Sequence, residues 1–402
     1  MSPHASESPA SESPAAPDIP QRAPQNQGPD ASLSAFARAH LAQIDAAGQL
    51  RSLVTTRRDM ASASPIVHRA GRALISFSCN DYLGLATHPQ IRAAARRAIT
   101  AHGTGARASR FVTGNHPLLG ALESALAAAK ATEAATLFGT GYLANLGVIT
   151  ALMGPGDTIL LDALAHSCLL TGARASGARF RRFHHNDLDH LAECLRAARA
   201  RPGRLLIATE SVFSMDGDRA PIPEILALAE AHDAWLLVDD AHGFGILPPG
   251  PPVPLAMGTL SKALASQGGY VCATAPVVRL LHHRAASQIY STALPPASAA
   301  AALAALRIAK AEPERGARAL AHARRFARLA GLPPPSSQIV PVRLGGEHAA
   351  LAAAARLEAA GFLAIAIRPP TVPAGTARLR LAFTAAHRDE EIDRLADLVR
   401  AL

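Results

Sequence analysis

The chain has 402 residues, 49% of them apolar, which is enough for two or three domains with sizeable cores. No apolar run approaches the about 18 residues that span a bilayer. No basic segment followed by an apolar run starts the chain, so we expect neither a membrane span nor a secretory signal. The four cysteines are widely spaced and form no CxxC pair, which favours free thiols in a reducing compartment, the cytoplasm, over a disulfide framework or a zinc site.

The formal net charge is +9, which is compatible with a nucleic-acid partner. The arginines, however, are scattered through helical patterns such as IRAAARRAIT, and an aromatic content of 4% leaves few rings for base stacking. A basic surface also suits a polyanionic small molecule or an acidic carrier protein. We therefore expect no nucleic-acid partner.

The predicted elements begin with a Pro/Ser-rich tail over residues 1–31, which we expect to be disordered. The amphipathic stretch LSAFARAHLAQIDAAGQL predicts a helix, and with the arm that follows it we assign residues 32–75 to an N-terminal segment. From about residue 100, short apolar strands alternate with helices, as far as Pro295. The predicted strands are AATLF, TILLD, RFRRF, RLLIAT and WLLVDD. This alternation predicts an α/β fold with βαβ units on a mostly parallel sheet.

The pattern changes after Pro295. One long alanine-rich helix is followed by the predicted strands SQIVPVRL, FLAIAIR and ARLRLAFT and by a final helix. This order predicts a smaller α+β domain over residues 296–402.

Ligands of a parallel α/β sheet gather beyond the carboxyl ends of its strands. After AATLF the sequence GTGY opens a helix, which suits a phosphate, although a plain tight turn is equally compatible. Chemistry-bearing residues also follow the other strands, namely His166, Ser214, Asp239, Asp240, His242, Thr259 and Lys262.

Lys262 is one of three lysines in a chain that has 37 arginines. Lysine differs from arginine where an amine must lose its proton and attack a carbonyl. Lys130 and Lys310 lie in helical patterns, and we expect both to be solvated; a solvated turn is also open for Lys262 taken alone. Together with Asp239 and a helix start for a phosphate, however, Lys262 completes a set that can hold pyridoxal phosphate.

The sequence resembles the α-oxoamine synthases, a family of fold-type-I pyridoxal phosphate enzymes, from about residue 32 to the end. The stretches that carry the resemblance include NDYLGL (80–85), FGTGYLANLGV (138–148), ESVFSMDGD (210–218), VDDAHGFG (238–245), TLSKAL (259–264) and IRPPTVPAGTARLRL (367–381). The resemblance implies a mostly parallel seven-stranded sheet in a large domain over residues 76–295 and a smaller C-terminal domain over residues 296–402.

The resemblance also implies roles for single residues. Lys262 would carry pyridoxal 5′-phosphate as a Schiff base, and His166 would stack on its ring. Asp239 would pair with the ring nitrogen, and His242 would bond the phenolic oxygen. The other implied cofactor contacts are Gly141, Tyr142, Ser214 and Thr259. The implied substrate contacts are Arg51, Asn80, Arg368, Thr371 and Arg380, of which Arg380 would hold the amino-acid carboxylate.

The last motif favours the branch of the family that condenses L-alanine with pimeloyl-coenzyme A or pimeloyl-acyl carrier protein in biotin synthesis. The resemblance further implies a homodimer. Two alternatives stay open. The first is a sister enzyme of the same family, which has the same catalytic set but uses glycine. The second is a basic binding protein that has lost catalysis.

Two features depart from the family pattern. The connection between His242 and Lys262 is shorter and richer in proline than usual, and HSCLL stands where HASL is commoner. We expect neither departure to touch a named catalytic residue.

Overall fold

The computed structural model describes residues 30–62 and 64–402. Most of the predicted disordered tail therefore lies outside the described residues. The chain divides into a unit that ends at Ser52 and a unit over Leu53–Leu402. The first unit contains helix α1 (Asp30–Ala46), which confirms the helix predicted from the amphipathic stretch. The domain boundaries at residues 75 and 295 stay a prediction.

The second unit contains helices and strands in alternation. Its helices are α2 (Pro89–His102), α3 (Pro117–Ala129), α4 (Gly141–Leu152), α5 (Ser167–Ser176), α6 (Leu188–Arg199), α7 (Ile222–Ala231), α8 (Ala275–Arg284), α9 (Ala286–Ile289), α10 (Pro296–Ala311), α11 (Glu314–Ala330), α12 (Glu347–Ala359) and α13 (Asp389–Arg400). A π-helical turn covers Arg110–Gly114. Among the described helices, none is long and apolar enough to cross a membrane.

The strands of this unit form three sheets. They are β1 (Arg57–Arg58), β2 (Ile66–Arg69), β3 (Arg72–Ser76), β4 (Ala134–Phe138), β5 (Thr158–Asp162), β6 (Arg179–Phe183), β7 (Leu205–Glu210), β8 (Trp235–Asp239), β9 (Leu255–Thr259), β10 (Gly269–Ala273), β11 (Ile339–Gly345), β12 (Phe362–Leu363), β13 (Ile365–Ile367) and β14 (Ala377–Ala382). The largest sheet in the described residues has seven strands in the order β4-β10-β9-β8-β7-β5-β6.

This large sheet is parallel except for β10, which runs antiparallel to both of its neighbours, β4 and β9. Its central strands are apolar and buried on both faces, as helix-covered parallel strands are. Helix α4 packs closely on the sheet because Gly147 has no side chain: a Cβ there would stand 2.8 Å from the Phe138 ring. The α/β prediction is confirmed, while the strands LAMGT (β9) and GYVCA (β10) were not among those predicted.

The C-terminal part corrects one prediction. The alanine-rich stretch predicted one long helix, but α10 ends at Ala311 and α11 begins at Glu314. Pro313 separates the two, since proline lacks a backbone N–H and disfavours helical geometry in the residue before it. Beyond α11, the antiparallel sheet β11-β14-β13 packs against a core that includes Phe326 and Phe383.

Candidate active site

Parallel strands bring polar residues to one edge of the large sheet. Strands β5, β7, β8 and β9 end at Asp162, Glu210, Asp239 and Thr259, and all four of these residues are buried. Glu210 pairs in register with Asp239 across β7 and β8. A buried carboxylate is costly unless it is paired or hydrogen-bonded, so each of these acids needs partners that the structure must supply.

Lys262 lies in the turn that follows β9, and its Nζ stands 2.8 Å from Nε2 of His242. Burial lowers the pKa of the Lys262 amine; Asp239 and Glu210 oppose this effect, and Arg380 adds to it. A lysine with a lowered pKa offers a neutral amine that can attack a carbonyl or accept a proton. The surroundings therefore suit the role predicted for Lys262.

A hydrogen-bond network extends from His242 to the C-terminal sheet. Nδ1 of His242 lies 2.6 Å from the hydroxyl of the buried Tyr82, which donates to Oδ1 of Asn80 at 3.0 Å. Arg380 donates to Oδ1 of Asn80 at 3.2 Å and to the Tyr82 hydroxyl at 3.3 Å, and its Nε donates to the Ser214 carbonyl. Tyr82, which sequence reasoning did not single out, thus contacts three predicted site residues directly: His242, Asn80 and Arg380.

The charges around His242 decide its protonation. Burial lowers its pKa well below the usual value, and the nearby cations Lys262 and Arg380 lower it further. A neutral imidazole carries one proton. Because Tyr82 donates to Asn80, the network is satisfied when His242 Nδ1–H donates to Tyr82 and Nε2 accepts from Lys262, a tautomer that we assign from the partners.

Asp239 and Asp240 face different surroundings although they are adjacent in sequence. The Asp239 carboxylate accepts from Nδ2 of Asn145 at 2.8 Å and from the backbone N–H of Ala241 at 2.9 Å. Asp240 instead forms an ion pair with Lys130 and accepts from the Ser211 hydroxyl at 2.5 Å. Two donors hold Asp239 in place at the strand end, as a partner for a cationic ring nitrogen requires.

The expectation that Lys130 is solvated is wrong. Lys130 caps α3 and is half-buried, with its amine paired to Asp240 and 5.1 Å from the centre of the Phe244 ring. Its position directly after the helix lets its long side chain reach the loop beyond β8. Lys310, in the last turn of α10, is exposed as expected.

His166 is the N-cap residue of α5, and Nδ1 of its exposed ring accepts from the backbone N–H of Cys168 at 3.3 Å. Its own backbone N–H donates to Glu210 at 2.7 Å. Although the residue keeps solvent contact, partial desolvation by the surrounding protein lowers the pKa of the His166 imidazole; Asp239 opposes this effect and Lys262 adds to it. The cap at the start of α5 and the hydrogen bond to the Glu210 carboxylate together fix the position of the His166 ring.

The expectation that HSCLL touches no catalytic residue is wrong. The Cys168 thiol lies 2.8 Å from Nδ1 of His166 and accepts from Nδ2 of Asn145 at 3.1 Å. Burial and the nearby Asp239 carboxylate raise the pKa of this thiol to about 12, so it stays neutral. The cysteine lies two residues after His166, so the first turn of α5 turns it back to the ring. The proline-rich connection, in contrast, is mostly exposed and leads directly into β9.

Glu210 is a second residue that sequence reasoning missed. It is buried at the end of β7 and accepts from the backbone N–H groups of His166 and Ser214. Burial and then the Asp239 carboxylate raise the pKa of Glu210 well above its usual value. An acidic residue directly after an apolar strand was the signal, and it is the same signal that pointed to Asp239.

The start of α4 forms a cradle beside Thr259. Thr140 caps the helix by accepting from the backbone N–H of Leu143 at 3.1 Å. A Cβ at Gly141 would stand 3.4 Å from Cβ of Thr259, so the helix start and the end of β9 are in contact range. The first N–H groups of a helix have no intrahelical acceptor and favour an anion. Tyr142 is partly exposed, and its hydroxyl donates to Thr171 at 3.0 Å.

Three predicted substrate residues remain: Arg51, Arg368 and Thr371. Arg368 and Thr371 flank the two prolines after β13, where the backbone N–H of Thr371 donates to the Arg368 carbonyl at 3.1 Å. Arg51 belongs to the unit that ends at Ser52. The substrate roles of these three residues stay predictions.

Known proteins match this chain over most of its length. The family model described as aminotransferase class I and II matches residues 72–399. The 8-amino-7-oxononanoate synthase of Methylobacterium sp. strain 4-46 is 61% identical over 92% of this chain and 96% of its own length. The enzyme of the same name from Methylobacterium radiotolerans is 59% identical over 92% of this chain and 98% of its own. The chain belongs to the aminotransferase class I and II family and, within it, to the 8-amino-7-oxononanoate synthases.

A solved structure extends the comparison to the fold of this chain. The serine palmitoyltransferase from S. paucimobilis with a bound PLP–myriocin aldimine superimposes with a TM-score of 0.84. It shares 27% identity and covers 92% of this chain and 97% of its own. The fold-type-I prediction is confirmed, and the chain is a pyridoxal phosphate-dependent acyltransferase.

The residues present fit this cofactor. A helix N-terminus beside a threonine suits the phosphate, and a firmly held carboxylate suits a protonated pyridine nitrogen. An exposed imidazole can lie against a flat ring, and an amine of lowered pKa can bond an aldehyde carbon. Gly141, Thr259, Asp239, His166 and Lys262 supply these groups.

Proposed function

We propose that the protein condenses L-alanine with pimeloyl-coenzyme A or pimeloyl-acyl carrier protein, giving 8-amino-7-oxononanoate, carbon dioxide and a free thiol in biotin biosynthesis. The observation that carries this proposal is the network from Lys262 through His242 and Tyr82 to Arg380. It links an amine of lowered pKa to a buried guanidinium that suits a carboxylate. The high identity to enzymes named 8-amino-7-oxononanoate synthase supports the reaction.

The cofactor would be held by residues at or just beyond five strand ends, those of β4, β5, β7, β8 and β9. Pyridoxal phosphate, when bound, withdraws electrons from the carbon that carries an amino group. Lys262 would bond its aldehyde carbon, Asp239 would keep a proton on its ring nitrogen, and His166 would lie against the ring. His242 would donate to or accept from the phenolic oxygen. The phosphate contacts would come from Gly141, Tyr142, Ser214 and Thr259.

Lys262 is the residue that moves protons in this proposal. Once the amino group of alanine has displaced Lys262 from the aldehyde carbon, the freed amine, part of which its lowered pKa keeps neutral, would take the proton from the α-carbon of alanine and later return a proton to the product. His242, held neutral, accepts a hydrogen bond from Lys262 and so orients its amine. Arg380 holds the alanine carboxylate with two parallel hydrogen bonds, the geometry that guanidinium and carboxylate share.

The acyl substrate carries charges of its own. A pimeloyl group ends in a distal carboxylate, which another cation must compensate when it leaves water. Arg51 is the candidate for this cation, with Asn80 and Thr371 as polar contacts, whereas Arg368 is a second candidate beside Arg380 for the amino-acid carboxylate. The net charge of +9 suits the phosphates of coenzyme A or an acidic carrier protein.

We also propose that the protein is a cytoplasmic homodimer. Large apolar side chains are exposed around the bridge between Ser109 and Thr292: Val112 is 74% exposed and Tyr290 is 85% exposed. Patches of this kind mark interaction sites, and a second copy of the chain would cover this one. Light scattering should give the mass of a dimer; a fully active monomer would exclude this part of the proposal.

The test of the reaction is a comparison of substrates. Holoenzyme should form product faster from L-alanine and pimeloyl-coenzyme A than from glycine and acetyl-coenzyme A. One methyl group is worth about 1–3 kcal/mol of discrimination, so glycine should react slowly. A clear preference for glycine with acetyl-coenzyme A would assign the chain to a sister reaction.

A further inference from the structure

A half-buried histidine outside the network described above bridges two carboxylates. His185 lies in the loop between β6 and α6, with Nδ1 2.8 Å from Oδ1 of Asp162 and Nε2 2.6 Å from Oδ2 of Asp218. The edge of its ring meets the Phe213 ring at 4.3 Å and 88°. Of the described charged groups, these two carboxylates are the ones that face its ring nitrogens.

This geometry requires an imidazolium. A carboxylate oxygen accepts hydrogen bonds and a neutral imidazole has one donor, so two carboxylate contacts need both ring nitrogens protonated. Burial alone lowers the pKa of His185, but the hydrogen bonds that its ring donates to the Asp162 and Asp218 carboxylates outweigh burial and raise the pKa to about 10. The cluster Asp162–His185–Asp218 therefore keeps its charge at neutral pH.

The two carboxylates belong to loops that carry predicted cofactor contacts. Asp162 accepts from the backbone N–H of Leu164 at 2.8 Å and so shapes the turn that leads to His166. Asp218 closes a loop around Ser214, since its backbone carbonyl accepts from Phe213 N–H at 3.0 Å.

A second residue, Asn186, connects the same two loops. Asn186 donates its backbone N–H to Asp162 and its side-chain amide to Asp218, both at 3.0 Å. Glu210 joins the same loops from the interior, through the backbone N–H groups of His166 and Ser214. Two groups thus connect these loops: the Glu210 carboxylate on the interior side and the His185 imidazolium on the outer side.

We propose that His185 is a positioning residue for the cofactor site: its imidazolium ties the turn before His166 to the loop of Ser214 and so sets the distance between them. The inference rests on the proposed function only in that these residues hold pyridoxal phosphate. Without this bridge, Asp162 and Asp218 lose the cation between them, and the contacts of Asn186 and Glu210 must hold the two loops without it.

The test uses His185→Gln, with His184→Gln as the matched control because the neighbouring His184 side chain is 75% exposed. Cofactor release from each holoenzyme is followed by visible absorbance after dilution into a trap, and thermal unfolding is measured in parallel. We expect His185→Gln to release cofactor at least about tenfold faster, and His184→Gln to match the parent protein. Lower thermal stability with unchanged release would show a merely structural role and overturn the proposal.

A second pair of variants keeps the proposal testable if His185→Gln does not fold. Asp218 is 39% exposed, so Asp218→Ala should fold. It should speed cofactor release as His185→Gln does, whereas Asp218→Asn, which keeps an acceptor for Nε2–H, should restore slow release. Equal, parent-like release from both variants would refute the bridge. Because release needs no substrate, a failed alanine preference would leave this result standing.

Discussion

Two histidines bridge polar groups near the same sheet edge, and their charge states are opposite. His242 lies between Lys262 and Tyr82, and burial together with nearby cations lowers its pKa well below the usual value. His185 lies between Asp162 and Asp218, which raise its pKa to about 10 against the effect of burial. Burial acts in the same direction on both, so the charge of the neighbours decides the outcome.

The comparison shows two functions that an imidazole can have in this protein. Around His242 the cations leave a neutral ring that can accept a hydrogen bond from a reactive amine. Around His185 the carboxylates make a charged ring that ties loops together. Reaction chemistry and loop positioning thus use the same side chain with different neighbours.

The largest effect is expected where the His242 network loses its amine. Lys262→Arg keeps a positive charge at this position. A guanidinium, however, cannot form a Schiff base with an aldehyde and does not lose its proton near neutral pH. We expect the rate of product formation to fall at least about 10³-fold. Lys310→Arg, in an exposed helix turn, is the control and should keep parent activity. Substantial turnover by Lys262→Arg would show that the reaction does not need the Lys262 amine.

The next effect concerns the carboxylates beside the network. Asp239→Asn should lower kcat about 10²-fold, because an amide cannot keep a proton on the ring nitrogen of the cofactor. Asp240→Asn loses an ion pair with Lys130 and should cost less than about fivefold. Steady-state kinetics of the two variants decide between them; the opposite order would reverse the assignment of the two aspartates.

A smaller effect is expected at the hydroxyl that couples His242 to Arg380. Tyr82→Phe leaves Nδ1–H of His242 buried without an acceptor and removes one acceptor of Arg380. A lost hydrogen bond to a charged group corresponds to about 1.5–3 kcal/mol, so kcat/KM for alanine should fall about 10- to 100-fold. Parent-like kcat/KM in Tyr82→Phe would break the link between the amine and the guanidinium.

The smallest effect is a difference in pH dependence of stability. The pKa of His185 is above its unfolded value of about 6.5, so its contribution is complete below pH 6.5 and is lost as pH rises towards 10. The pKa of His242 is below that value, so its contribution is present above pH 6.5 and is lost as pH falls.

Denaturant unfolding across pH therefore gives opposite slopes for the two variants. The stability deficit of His185→Gln should shrink steadily from pH 6.5 to pH 9.5, by up to about 1.4 kcal/mol per pH unit. The deficit of His242→Gln should shrink as pH falls from 6.5 to 5. Parallel deficits in both variants would show that neighbouring charge does not separate the two histidines.

The strand-end residues were predictable because a polar residue after a short apolar run is a local signal. Asp239, His242 and Lys262 all followed from it, and the mostly parallel sheet followed from the alternation of strands and helices. Their precise roles in catalysis were implied by resemblance and stay predictions.

Other parts of the site depend on contacts between distant segments. The Tyr82 hydroxyl meets His242 across 160 residues, and Lys130 reaches Asp240 across 110. Nothing in NDYLGL or in LESALAAAK shows these partners, since packing of separate elements creates them. Cys168 was misjudged for a different reason: a helix cap turns its thiol back onto His166, two residues before it.

The most direct test of the central claim is to find which lysine bears the cofactor. Borohydride fixes the bond between pyridoxal phosphate and its lysine, and peptide mapping of the reduced holoenzyme then locates it. The account predicts that the label lies on the peptide that contains Lys262. A label on Lys130 or Lys310 would contradict it.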